Sequence, residues 1–279
     1  MEKIKIITDS TADLPEYILK KYDVEVLPLI INFGEESYRD GIDIDTYSLF
    51  NKMENSNIFP ATAQVNPQVF LDCYNSYIKK GYKIISIHLS SKMSGTYQSA
   101  CIAKETLKSD DIVVIDSMNV TSGLGIQVIK AAKLKEAGLG IKEIEKEVKK
   151  ISPHIKSTLA FNSLDNLVRG GRLSKTSGVI GNILGIKIIV EVKDGEMSVV
   201  DKVRGSKRIL RSMLAYLDQK GIKSGEDLIL LHVGEVDILD PLRENLNEKK
   251  LDFIECEVGC TVGVHSGSGA CGVFFVEDY

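Results

Sequence analysis

A chain of 279 residues with 43% hydrophobic side chains can bury a substantial core and exceeds the usual single-domain size, so two α/β domains are expected. Its 35 Lys and Arg against 39 Asp and Glu give a formal charge of -4, which lacks the basic excess of a nucleic-acid-binding surface and sets a DNA or RNA role aside. No apolar h-region opens the chain and no stretch approaches membrane-spanning length, so the expected location is cytoplasmic.

Lys3–Thr8 predicts a first strand running into Asp9-Ser-Thr-Ala-Asp13, and then a helix with Asp13 as cap and Pro15 in its first turn. Val24–Phe33 predicts one continuous apolar strand, Gly34 a turn, Asp45–Met53 and Pro67–Lys80 helices, and Tyr82–His88 an alternating strand. Apolar residues at helical spacing over Gly95–Leu107 place Ser94 at a helix N-terminus. There, unpartnered amide N–H groups and the positive end of the helix dipole favour an anion beside its hydroxyl. An ordinary cap for its own helix is an equally good account of Ser94. Ile112–Asp116 is a further short strand. Strands alternating with helices predict a mainly parallel sheet sandwiched by helices, with ligands beyond the strand C-terminal ends, where Thr62, Ser94 and the Asp9–Asp13 segment could converge.

Helices are predicted at Ser122–Ala137 and Ile141–Ile151, and the pattern changes near Phe161, which sets an expected boundary between an N-terminal α/β domain, 1–160, and a C-terminal one, 161–279. In the second, Ile186–Val192 and Glu196–Val203 around Asp194-Gly195 predict a hairpin. Helices at Ser206–Lys220 and Pro241–Lys249 then alternate with strands at Asp227–Val233, Asp252–Val258 and Gly272–Glu277, giving a mixed sheet with helices.

Several motifs fail on context. Gly267-Ser-Gly-Ala-Cys-Gly272 matches the dinucleotide fingerprint G-x-G-x-x-G, but strand-like alternation follows it in place of a helix, so nicotinamide binding is rejected. There is no P-loop and no G-x-S-x-G nucleophile elbow. The five cysteines, Cys73, Cys101, Cys256, Cys260 and Cys271, form no CxxC pair and read as reduced thiols. Cys256, Cys260, Cys271 and His265 could be recruited for a metal, but alternation around Cys256 favours a core strand, so no metal is expected. Arg169 and Arg172 flank a glycine pair in Leu167–Lys175; this suits forked contacts to carboxylate or phosphate, although a solvated charged turn accounts for it better on chemistry alone.

Taken together, TDSTADLP near the start, SSKMSGTYQSA, LVRGGRLSK and GVHSGSGACG near the end resemble the DegV family in order and spacing over nearly the whole chain. The resemblance implies a two-domain α/β protein that holds a long-chain fatty acid in the cleft between its domains. It implies a carrier subunit and not an enzyme: a separate ATP-binding fatty acid kinase phosphorylates the bound carboxylate, and the acyl phosphate feeds phospholipid synthesis. No cofactor beyond the fatty acid ligand is implied, and transient contact with a membrane is left open.

Position by position, the family's carboxylate ligands fall on Thr62, Ser94 and His265. Thr62 and Ser94 become hydroxyl donors, and His265 supplies a further hydrogen bond or charge. Gly95 and Ser10 become secondary ligands or helix N-termini, and Arg169 and Arg172 face the kinase or the transferring phosphate. The chain departs from the family pattern at Ala63, Val65, Ile188 and Ser268, which bears on the shape of the site. Gly178–Val190 is a candidate tunnel wall, with ordinary core an equal reading. The alternative of another class is a serine hydrolase, with Ser94 as nucleophile, His265 as base and Asp9 as orienting acid.

Overall fold

The computed structural model describes residues 2–173 and 186–279. The candidate tunnel wall lies outside the described residues as far as 185, as do Ser174 and Lys175 of the arginine segment.

β1 (Ile4–Asp9) passes through a 3-10 turn at Ser10–Ala12 into α1 (Glu16–Tyr22), β2 (Val24–Leu27), β3 (Ile30–Phe33), β4 (Glu36–Arg39), α2 (Thr46–Asn55) and β5 (Ala61–Ala63). There follow α3 (Pro67–Ile78), β6 (Lys83–His88), α4 (Thr96–Leu107), β7 (Ile112–Asp116), α5 (Ser122–Glu136), α6 (Ile141–Ile151), β8 (Ile155–Phe161) and α7 (Asp165–Arg169). β9 (Ile186–Lys193), β10 (Glu196–Arg204), α8 (Ser206–Lys220), β11 (Ile229–Val233), α9 (Leu239–Glu248), β12 (Ile254–Glu257), α10 (Cys260–Ser266) and β13 (Ala270–Val276) complete the order.

A four-stranded parallel sheet, β2-β1-β6-β7, is covered on both faces. Because side chains alternate across a strand, neighbours Ile6 and Ile7 enter different clusters: Ile6 joins Ile85 and Val113 against α5 and α6, while Ile7 joins Ile84 and Ile112 against Phe70 and Tyr74 of α3 and Ala100 and Ala103 of α4. The six-stranded mixed sheet runs β10-β9-β8-β13-β11-β12, antiparallel except for the parallel pair β11–β12. Its Leu159, Val190, Leu231 and Phe274 share the first sheet's core, while Ala160, Ile189, Leu230 and Phe275 pack on α8 and α9. Between the sheets, α5 is buried at every residue from Ser122 to Ile129, as a helix covered on all sides must be. Gly125 allows this: a Cβ there would lie 2.8 Å from Leu14 Cδ2.

A third, small sheet, β4-β3-β5, joins α2 and α10 around Ile31, Phe33, Leu49 and Val264. Its existence corrects the expected continuous strand Val24–Phe33. Pro28 has no N–H to continue a ladder, and after it the chain leaves the parallel sheet for the small one. Asp13 does not cap α1, whose cap position is Pro15 without a side-chain bond; Asp13 instead adopts φ 49° and reaches another helix. β8 already pairs with β13, so the chain enters the six-stranded sheet at Ile155. Val65 and Ile188 are both core residues. Among the described residues no helix is long and apolar enough to cross a membrane.

Candidate functional site

The C-terminal ends of β1, β6 and β7, the inner face of the six-stranded sheet and α10 enclose a cavity of about 330 Å³. Leu89, Met93, Val120, Leu159, Phe161, Leu167, Met197 and Leu231 supply an apolar lining, and Thr62, Gln64, Ser94, Arg172 and His265 a polar one. Among the described lining residues Arg172 alone carries a formal charge at neutral pH. An apolar pocket with a few convergent polar groups and one cation suits a ligand with a long apolar body and a small anionic end.

Small elements that carry little sequence signal hold the polar group together. Pairing of Thr62 on β5 with Ile31 on β3 fixes its position, and α10 brings His265 against it, with Thr62 Oγ1 and His265 Nε2 2.9 Å apart. Arg172 Nε donates to the carbonyl of Met93 at 3.2 Å and Nη1 to that of Gly170 at 2.6 Å, which lays the guanidinium beside the Ser94 loop. Ser94 lies one residue ahead of the helix cap Gly95; its Oγ accepts from the Thr96 N–H at 3.3 Å and shares a 3.0 Å hydrogen bond with Thr96 Oγ1. It therefore serves the first turn of α4 while still lining the cavity. Gly95 gives Gln64 room, since a Cβ at 95 would lie 1.9 Å from Gln64 Oε1. Gln64 Nε2 donates to Ser99 Oγ at 2.9 Å. The sequence reading passed over Gln64, although it follows Thr62 by two residues on an extended segment, the spacing that puts two side chains on one face.

Burial pushes the His265 imidazole down to about 4, and the nearby Arg172 guanidinium adds to the shift. The ring is therefore neutral at physiological pH. Of the two contributions expected from His265, a hydrogen bond or a charge, the hydrogen bond fits the cavity as it stands. Two aspartates from the first half of the chain anchor its helix. Asp40 Oδ1 accepts from the Cys260 N–H at 3.0 Å and its Oδ2 from Thr261 N–H at 3.2 Å, while Asp13 Oδ1 accepts from Gly259 N–H at 3.0 Å. A carboxylate at a helix N-terminus meets both its free N–H groups and its dipole.

Burial, followed by the neighbouring Asp40, raises the Asp13 carboxyl well above its ordinary 3.8. The native state therefore holds this proton more tightly than the unfolded chain, and stability falls as pH rises from near 3.8 towards the raised value. Asp13→Asn keeps an acceptor for Gly259 and removes the ionisation. Melting temperatures of the two proteins across this range are expected to diverge with rising pH, the variant losing less; parallel curves would show that Asp13 holds its proton no more tightly in the native state than in the unfolded chain.

Other residues proposed from sequence lie elsewhere. Ser10 Oγ donates to Asp40 Oδ2 at 2.8 Å and accepts from Leu29 N–H at 3.1 Å, so it is committed to the scaffold, and its neighbour Thr11 lines the cavity instead. Arg169 is exposed and lies over the Phe59 ring, 4.3 Å from its centroid, whereas Arg172 turns inward. The alternative hydrolase triad is not assembled: Asp9 is wholly buried and receives His88 Nδ1 at 2.9 Å and the Leu89 N–H at 3.1 Å, not His265. Cys256, Cys260 and Cys271 are buried, each thiol pushed up to about 12 by burial. Among the described residues no three His, Cys, Asp or Glu are grouped to hold a metal ion.

The model of the DegV family, described as uncharacterised proteins, matches residues 3–278. A DegV domain-containing protein of Clostridium acetobutylicum is 58% identical over 279 residues and another of Clostridium perfringens 50%, each match spanning 100% of both chains. Among solved structures, a DegV family protein of Thermus thermophilus described for its fatty acid binding superposes with a TM-score of 0.90 at 26% identity, covering 99% of this chain and 100% of that one. DegV of Bacillus subtilis, described as a fatty acid binding protein, gives a TM-score of 0.86 at 28% identity over 100% of both chains.

Proposed function

Because the chain belongs to the DegV family, we propose that its cavity binds a long-chain fatty acid and presents the carboxylate to a separate ATP-dependent kinase, which forms an acyl phosphate for phospholipid synthesis. The observation that carries this reading is the meeting of Thr62, Ser94, His265 and Arg172 on the wall of one otherwise mostly apolar cavity. Thr62 and Ser94 donate hydroxyl hydrogens to the carboxylate, the neutral His265 ring donates its Nε2–H to Thr62 Oγ1 and so aims that hydroxyl at the ligand, and Arg172 supplies the counter-charge. That role for Arg172 replaces the partner contact expected from sequence, which stays with Arg169 on the surface. The protein acts in the cytoplasm as a carrier and not as a catalyst. We further propose two domains, one built on each of the larger sheets and parted between α6 and β8, a few residues ahead of the boundary expected near Phe161.

Magnitudes divide the labour. At about 0.8 kcal/mol per buried methylene, roughly fourteen methylenes offer about 11 kcal/mol gross. Ordering and association offset much of that. Hydrogen bonds to the charged head add about 1.5–3 kcal/mol each, so the polar group sets orientation and head-group identity while the apolar wall sets affinity.

Native mass spectrometry of protein purified without added lipid is expected to release a fatty acid at near one-to-one occupancy. Thr62→Ala and Ser94→Ala should each weaken fatty acid binding roughly ten- to hundredfold, the equivalent of one such hydrogen bond. Unchanged affinity in both would remove the head-group assignment. Arg169→Ala is expected to retain lipid and lose acyl phosphate formation with the kinase; full transfer would leave that arginine without a partner role.

A further inference from the structure

The carboxylate reading leaves a second set of hydroxyls in the same cavity unused. Thr11, Thr121 and Thr261 line it, and they are 0%, 3% and 4% exposed. Thr11 Oγ1 donates to Asp9 Oδ1 at 2.5 Å and Thr121 Oγ1 to the carbonyl of Val120 at 2.7 Å, so each oxygen can still accept. Thr261 Oγ1 has no partner among the described residues. It precedes His265 by four residues on α10, so the two side chains project from one face of that helix, about 6 Å apart along its axis.

An apolar chain crossing this wall would cover hydroxyls that it cannot satisfy, and a buried hydroxyl without a partner is unfavourable. Valine has nearly the shape of threonine and would avoid that penalty, so the hydroxyl calls for a ligand-side explanation. Thr121 adds to the case, since it holds φ 51° and ψ -134°, a backbone region that β-branched residues rarely adopt.

Resting on the fatty acid reading of this cavity, we propose that Thr11, Thr121 and Thr261 form a polar subsite for an oxygen borne on the acyl chain, so that the preferred ligands are hydroxylated fatty acids. Thr261 donates to the chain hydroxyl, which in turn donates to Thr11 or Thr121.

The test is displacement of a fluorescent fatty acid from the full-length protein by hexadecanoate and by its monohydroxy derivatives, with the hydroxyl moved carbon by carbon along the chain. One position is expected to bind about tenfold more tightly than hexadecanoate, the worth of one or two hydrogen bonds. Thr261→Val should reverse the order, tightening hexadecanoate and weakening that isomer, and Thr261→Ser should retain the native preference. No isomer binding more tightly than hexadecanoate, or a preference that survives Thr261→Val, would overturn the subsite while leaving the fatty acid reading intact. Displacement by none of the acids would overturn the fatty acid reading and the subsite with it.

Discussion

Gly272→Ala is expected to lower the melting temperature by on the order of 10 °C, or to prevent native folding altogether. Gly272 lies in the middle of β13, opposite Leu159 of β8 on one side and Leu231 of β11 on the other. A Cβ there would sit 2.2 Å from the Thr158 carbonyl oxygen and 2.7 Å from Leu159 Cα. Both are backbone atoms of a paired strand, so no rotamer change relieves the overlap and the strands themselves must part. Every residue of β13 is buried, and the strand contributes to the cores on both faces of its sheet. Overpacking of this kind costs about 3 kcal/mol or more. Thermal unfolding followed by circular dichroism measures the effect, and a midpoint within a degree or two of the native protein would show that the sheet opens there at little cost.

Gly170→Ala should separate binding from folding. Its backbone is helical, φ -78° and ψ -9°, so alanine meets no conformational barrier. Its Cβ, however, would lie 2.2 Å from His265 Nδ1 and 2.9 Å from Cε1. The imidazole has to swing away and lose its place beside Thr62, with the expected result of at least a tenfold loss of fatty acid affinity at near-native melting temperature. Gly171→Ala is the matched control. It meets nothing within 4 Å but has φ +68°, so it should cost stability through the backbone and spare binding. Native affinity in Gly170→Ala would mean that His265 does not aim the Thr62 hydroxyl at the head group.

The long periodic elements were legible in the sequence, and the short ones were not. α6 falls where its apolar spacing placed it, and the β9–β10 hairpin turns at Asp194-Gly195 as expected. β5 has three residues and α10 seven, too few for a period to show, yet these two carry Thr62 and His265. Asp13 looked like a cap because it stands just ahead of a helix, but the better partner is the Gly259 N–H, 246 positions away. The glycine pair between Arg169 and Arg172 hid the fact that one side chain faces solvent and the other the cavity, a division that local sequence cannot express. The order and spacing of four motifs, read as a family resemblance, put Thr62, Ser94 and His265 on one list before any contact between them could be argued.

Thr62 and His265 meet across 203 positions of chain, and the helix bearing His265 is fastened by Asp13 and Asp40 from the opposite end of the sequence. A ligand gripped between them can be bound only when both ends of the polypeptide are in place. It therefore acts as a clasp on the entire molecule: by mass action it draws the global unfolding equilibrium towards the folded side, and cargo and structural integrity become one linked quantity.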